Sequence, residues 1–230
     1  MAGGRRAGAA HRGRPGRKDR LMRGNRLVRL IPGLLLLALS AGLTRAAAPS
    51  PAAPAESASL AGQLLIASPE MGDPRFRRTV ILMVRHDHDG AFGIVINRPV
   101  EERSLASLLE AIGESGKGVS GSVRVFAGGP VGVENGFILH SSDYHSPGTV
   151  DIDGRVSMTS SPAILKDMAA HRGPAKSLIA FGYAGWGPGQ LEGELARHDW
   201  ATAPEDPRLV FDDDRDRLWD DAMARRTIDL

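Results

Sequence analysis

The chain contains no cysteine. A disulfide framework, a thiolate metal site, a cysteine nucleophile and a lipid-anchoring cysteine are all excluded. Aromatic residues are scarce, at 5%. The apolar stretch Ile31 to Leu43 is too short for a membrane span, which needs roughly 20 apolar residues. No phosphate loop of the G-x-x-x-x-G-K-[ST] form occurs, and no G-x-S-x-G nucleophile elbow. What is present is 230 residues, 42% of them hydrophobic, enough for one domain with a substantial core or at most two small ones.

The net charge of +2 hides a strong asymmetry. Eleven of the 29 basic residues, but only Asp19 among the 27 acids, fall in residues 1–48. Residues 49–230 keep 18 basic and 26 acidic side chains and so carry −8 with histidine neutral. Within the basic segment, Arg23, Arg26 and Arg29 precede the apolar stretch. Ala46-Ala47-Ala48 and Pro49 follow it. Basic, apolar, then small residues is the secretory layout. The expectation is a basic n-region and signal peptide over 1–48, with Met22 as an alternative start. A Pro/Ala-rich linker over 49–59 and one folded domain over 60–230 follow. A cleaved signal implies a periplasmic or secreted protein with no lasting membrane span. The competing reading is an uncleaved anchor or a retained basic tail.

Along the domain, Gly62–Ala67, Thr79–Val84, Ala91–Ile96, Val123–Ala127, Gly136–His140 and Lys176–Tyr183 are short apolar runs that read as buried strands. Asp89-Gly90 predicts a hairpin between the second and third runs. Asp153-Gly154 predicts another, between 149–151 and 155–158, whose alternating strands imply one face in water. Residues 104–112 have helical spacing and end at Gly113. Ser161-Pro162 predicts a helix start that runs to about His171. Helices are also expected over 190–197 and 214–226, and a short strand over 208–211. Strands, hairpins and helices without a βαβ repeat give an α+β fold in one domain.

The segments LLIASPEMGDPRF (64–76), RTVILMVRHDHDGAFGIVINRP (78–99), GGPV (128–131), GFILH (136–140) and GYAGWGPGQLEGE (182–194) resemble, in this order, the AlgH/YqgE family of uncharacterised bacterial proteins. The resemblance covers about residues 63–229. It implies a bifurcated, mostly antiparallel, barrel-like sheet surrounded by helices. It brings a putative-regulator label but no agreed activity, cofactor or catalytic residues. Family members are usually cytoplasmic, the alternative to export here. Ser68-Pro69-Glu70 and Asp199 depart from the family's more usual Met-Pro-Gly-like triplet and Asn.

Several clusters carry candidate chemistry. His86 and His88 would share one face of an extended strand, and His140, with Asp143 and His145, could complete a metal site. The competing reading is a solvated hairpin tip, and the metal ligands stay weak candidates. Tyr183 and Trp186, among glycines, could line a groove, with Gln190, Glu192 and Glu194 as polar neighbours; the bland alternative is a tight turn with Trp186 in the core. Gly128-Gly129 could bring amides to an anion or simply reverse the chain. Asn97-Arg98 could bind a carboxylate or pair with an acid. Ser141, Ser142, Ser160 and Ser161 have no activating context.

Three functions are compatible with these residues. A non-enzymatic binding or regulatory module, with an unknown protein or small-molecule ligand and no cofactor, fits best. The second is a metal-dependent hydrolase-like enzyme around His86, His88 and His140. The third is the transcriptional regulator of the family label. It is disfavoured because nucleic-acid affinity rests largely on Lys and Arg contacts to phosphate, and the domain carries −8.

Overall fold

The computed structural model describes residues 58–211 and 214–227. The signal-like segment and nearly all of the Pro/Ala-rich linker lie outside them. Among the described residues no helix is long and apolar enough to cross a membrane.

Ten strands form one curled sheet: β1 (Gln63–Ala67), β2 (Val80–Asp87), β3 (Gly90–Val95), β4 (Pro99–Ser104), β5 (Ser122–Ala127), β6 (Val131–Ser141), β7 (Thr149–Asp151), β8 (Val156–Thr159), β9 (Ser177–Trp186) and β10 (Trp200–Pro204). The order is β10-β1-β2-β3-β9-β6-β8-β7, with β4 and β5 branching from β9. Among the described residues five α-helices pack around it: α1 (Leu105–Ala111), α2 (Ala163–Ala169), α3 (Gln190–Ala196), α4 (Pro207–Phe211) and α5 (Leu218–Ala224). The result is an α+β half-barrel.

β9 holds the sheet together. Along one edge it pairs with β6. Along the other, residues 179–181 pair with β5 in parallel, and residues 184–186 pair with β3 antiparallel. The sheet therefore forks at Gly182. Gly128 and Gly129 sit in the crotch: the Gly128 amide donates to Phe181 O at 2.7 Å, and the Val95 amide donates to Gly128 O at 2.8 Å. A side chain does not fit there. A Cβ on Gly129 would lie 2.0 Å from the Tyr183 carbonyl carbon, and one on Gly182 would lie 2.4 Å from Gly129 O.

Strand alternation divides the core in three. Leu64, Ile66, Val80, Leu82, Ile94, Ile96, Leu139 and Leu178 face the inside of the half-barrel, which α4 and α5 close with Leu209, Val210, Leu218 and Trp219. Leu65, Ile81, Met83 and Val95 face outward under Leu191 of α3. Ile138 and Ile179 face outward under α1 and α2. Strands buried on both faces must be apolar throughout, and this is why they read as continuous runs rather than alternating ones.

Trp219 anchors the C-terminal helix. Its Nε1 donates to Ala67 O at 2.9 Å, and the Arg78 guanidinium lies 4.2 Å from its ring. Trp219→Phe removes a buried hydrogen bond and part of the cation–π contact, and is expected to lower stability by about 2 kcal/mol in urea unfolding. A loss below about 0.5 kcal/mol, the scatter of ordinary surface changes, would mean that the ring packs without needing its donor.

Several sequence expectations need correction. The stretch 208–211 is helix α4, not a strand. Asp206 Oδ1 accepts from the Arg208 amide at 2.9 Å and Pro207 opens the helix, so the turn is capped like a helix start. β8 is buried at all four residues rather than half in water, because the inside core and β6 cover it. β4 has no apolar signal, being fully exposed. β6, β9 and β10 run beyond, or lie outside, the apolar runs that marked the other strands. The 87–90 hairpin turns on His88-Asp89, with Asp87 opposite Gly90. Gly90 is instead the point where β9 approaches, since a Cβ there would lie 2.2 Å from Trp186 O.

Candidate functional site

A cleft of about 310 Å³ lies between the 71–76 segment, the end of β9 and α3. Its back wall is Trp186 and Trp200, in edge-to-face contact at 6.0 Å, with Phe76 edge-on to Trp200 at 5.5 Å. Between the indoles stands Glu194. Its Oε2 accepts from Trp186 Nε1 and from Trp200 Nε1, both at 2.8 Å, and its Oε1 accepts from Gln190 Nε2 at 3.0 Å. Gln190 is fixed in turn by its Oε1, which accepts from the Gly187 amide. Gln190, Glu194 and Arg197 are four and three residues apart, so they share one face of α3 and its C-terminal cap.

Two guanidiniums flank this carboxylate. Arg75 makes a fork to Asp73, with Nη2 to Oδ2 at 2.6 Å, and this pairing holds the Asp73 carboxyl below the usual carboxylate range. Arg197 donates through Nε and Nη2 to Asp199 Oδ2 at 3.1 and 2.8 Å. Both arginine side chains remain about two-thirds exposed, at 66% and 64%. The cleft thus offers an immobilised anion, an aromatic wall and two cationic forks on short tethers. No serine, threonine, cysteine or histidine is among its lining residues.

The sequence candidates separate around this cleft. Trp186 and Gln190 line it. Tyr183 does not: three residues before Trp186 on a strand, it points to the opposite face and packs inside the half-barrel against Phe92 at 4.9 Å. Glu192 turns away from the cleft and accepts from His86 Nε2 at 2.8 Å. Asn97 is a brace. Its Oδ1 accepts from the Val80 amide and its Nδ2 donates to Arg78 O. Arg98 donates to Arg77 O and Thr79 Oγ1, and burial pulls its pKa down. Gly128 and Gly129 sit at the sheet fork, packed against backbone.

The histidines do not converge. His86 is buried, and its Nδ1 accepts from the Leu60 amide at 3.1 Å, which leaves the proton on Nε2 for Glu192. His88 lies in the turn beyond the strand's last residue, where alternation no longer applies, and is 90% exposed. His140 lies opposite Ser177, at the other end of β9 from Trp186, which Ala91 and then His86 neighbour. Nine residues of strand separate the two, on the order of 30 Å, so His86 and His140 cannot share an ion. His140 is wholly enclosed: Nδ1–H donates to Ser141 O, and Nε2 accepts from Thr159 Oγ1, which is hydrogen-bonded to Thr149 Oγ1. Asp143 is engaged by Ser141 Oγ and the Ala175 amide, and the Ser141 bond holds its pKa down. Among the described residues the group with carboxylate and imidazole atoms close enough for a metal is Asp87, His88 and Asp89, all exposed at the hairpin tip.

Sequence reading placed Glu194 beside Trp186 but missed Trp200, Arg75 and Arg197 as members of the same site. The signal was present in part: positions 190, 194 and 197 repeat at helical spacing beside an aromatic. The pairing of β1 with β10, which brings Trp200 alongside, has no local signature.

The forked, mostly antiparallel half-barrel with its surrounding helices defines the class: an α+β domain. The AlgH-like family model matches residues 64–230, and the chain belongs to that family. It is 49% identical over 166 residues to a UPF0301 protein of Jannaschia sp., covering 71% of this chain and 86% of that one. A UPF0301 protein of Methylococcus capsulatus is 39% identical over 180 residues, covering 78% and 98%. The solution structure of the AlgH protein from Pseudomonas aeruginosa superposes with a TM-score of 0.64 at 39% identity, covering 76% of this chain and 92% of that one. The crystal structure of a Corynebacterium diphtheriae protein, at 21% identity and a TM-score of 0.58 over 73% and 87%, shares the fold.

Proposed function

We propose that the chain is a non-enzymatic binding module whose ligand is a small zwitterion, such as an amino acid or short peptide, seated in the Glu194 cleft. The observation that carries this reading is the triple clamp on Glu194. A carboxylate that accepts from two indoles and an amide is held in one orientation, while Oε1 keeps a lone pair for a ligand ammonium. Arg75 and Arg197 supply planar forks suited to a carboxylate, and each can share its present aspartate partner with a ligand anion. A cleft of about 310 Å³ suits a ligand of this size. The −8 charge of residues 49–230 opposes the nucleic-acid reading.

Two of the three tryptophans border the cleft, so ligand entry changes the intrinsic emission. Titration with free amino acids and dipeptides is expected to give a saturable emission change that Glu194→Gln weakens at least tenfold. No saturable change with any of them, or equal affinity in the variant, overturns the reading.

A further inference from the structure

The two ends of the strand order, β10 and β7, are not hydrogen-bonded to each other. The curled sheet nevertheless brings the end of β10 against the β7–β8 turn. Asp153 Cβ lies 3.0 Å from where a Cβ on Gly62, at the start of β1, would stand. Arg155 Nη2 donates to Glu205 O at 3.1 Å and stands 2.6 Å from Glu205 Oε2. Ile152 packs with the inside core that holds Ala203 and Leu209. The open seam of the half-barrel is thus bridged by side chains rather than by a strand ladder.

The bridge is built around a buried acid. The Glu205 side chain is 0% exposed, and neither of its oxygens finds a donor in good hydrogen-bond geometry. Asp153, 15% exposed, accepts three bonds, at Oδ1 from the Arg155 and Val156 amides and at Oδ2 from Arg155 Nη2, which leaves Oδ2 one further lone pair. Arg155 Nη2 reaches both carboxyls but donates to Asp153 Oδ2 and the Glu205 carbonyl, so the Glu205 side chain is left to supply its own proton as the bond between the pair. Burial, then the neighbouring Asp153, pushes Glu205 up to about 8. Burial also pushes Asp153 up, but the bonds it accepts, from Glu205 first, outweigh it and hold its pKa down. The proton therefore belongs to Glu205 and the charge to Asp153. The other charged groups around the pair are Asp206, whose charge Arg208 and Arg225 neutralise, and Arg155, which favours ionised Glu205 but is outweighed by burial and Asp153.

We propose that Glu205 and Asp153 form a proton-dependent latch across the seam, closed while Glu205 donates its proton to Asp153 and released when that proton is lost. Raised above its unfolded value of 4.5, the Glu205 pKa makes its contribution to stability complete below about 4.5. The contribution declines as pH rises and is gone above about 8. The released state is one in which two adjacent carboxylates repel at the join of β10 and the β7–β8 turn, while the β2–β3–β9 ladder is untouched.

The test is hydrogen exchange of the full chain between pH 6 and 9, with each amide corrected for its intrinsic rate. Protection at residues 152–157 and 200–206 is expected to fall at least tenfold across this range, while protection at 80–84 and 178–181 stays within twofold. Glu205→Gln keeps a neutral donor in place, so its seam protection is expected to be independent of pH. Asp153→Asn removes the neighbouring charge that helps Glu205 keep its proton, so the loss of protection is expected to begin at lower pH than in wild type. A parallel slope in Glu205→Gln and wild type, or a uniform loss over the whole sheet, overturns the latch. Should Glu205→Gln fail to fold, the pH at which seam protection falls in Asp153→Asn decides the matter alone: an unchanged midpoint overturns the proposal.

Discussion

Gly129→Ala is expected to leave the domain largely unfolded, with a loss of about 4 kcal/mol or more, at the extreme of what one substitution does. The cause is local and steric. β3 and β5 both leave β9 at Gly182, and Gly128-Gly129 fills the gap between them. Gly129 has φ +151°, and an added Cβ would meet the Tyr183 carbonyl carbon at 2.0 Å, its oxygen at 2.2 Å and the Ala184 nitrogen at 2.4 Å. These are backbone atoms of the longest-paired strand, so relief requires β9 to move and both branches with it. Small domains have only about 5–15 kcal/mol in total, so the variant should be found insoluble or without a cooperative transition. Gly148→Ala is the control. It too has positive φ, at +89°, but nothing lies within 4 Å of the new Cβ. Backbone strain alone should cost it about 1–2 kcal/mol. Chemical unfolding followed by circular dichroism compares the two; equal losses would reduce the fork to ordinary glycine strain.

The same fork marks the limit of what the sequence makes legible. Thr79–Val84, Ala91–Ile96 and Lys176–Tyr183 announce themselves because burial on both faces forces unbroken apolar runs. Ser104 announces α1 because its Oγ accepts from the Ser107 amide, a local bond between local residues. β4 is silent for the opposite reason: an edge strand with charged residues Glu101, Glu102 and Arg103 has nothing to bury, and its charges discourage pairing with another chain. The glycine-rich 182–186 stretch has the look of a turn because glycine disfavours strands. It is strand nonetheless, since β3 and β6 pair with it, and at Gly182 the Gly129 backbone leaves no room for a side chain.

The functional residues follow the same logic. Trp186 and Gln190 were legible as members of one motif. Tyr183 ends the apolar run 176–183 while Trp186 lies beyond it, so the sequence does not show that both stand on one strand, where their odd spacing sends Tyr183 into the core. His86 and Glu192 were both legible as polar, but their bond joins β2 to α3 across 106 residues. Glu194 meets Trp200 through the placement of β10 beside β1, and Glu205 meets Asp153 through the approach of the two unpaired ends of the sheet. No short-range pattern specifies them.

Glu194→Ala is expected to lower stability by about 2–3 kcal/mol and to shift tryptophan emission to the red. Trp186 and Trp200 are buried at 7% and 5% exposure, and each directs its sole donor at Glu194 Oε2. Removing the acceptor strands two indole N–H groups, a penalty of about 1–3 kcal/mol for each if no partner returns. The cleft is open, so water can reach part of the vacated space, and the expected total falls below the sum. Glu194→Gln separates the two roles of this side chain. Its amide oxygen can take the place of Oε2 and keep both indoles, while its NH₂ meets the Gln190 donor, so about 1 kcal/mol should be lost with little red shift. The charge is gone, however, and with it the attraction for a ligand ammonium. A stable Glu194→Gln protein that no longer binds zwitterions would make the carboxylate a recognition element held by the aromatic wall. Should Glu194→Ala prove as stable as wild type, the indoles do not depend on the clamp, and the preorganisation on which the ligand reading rests would be lost with it.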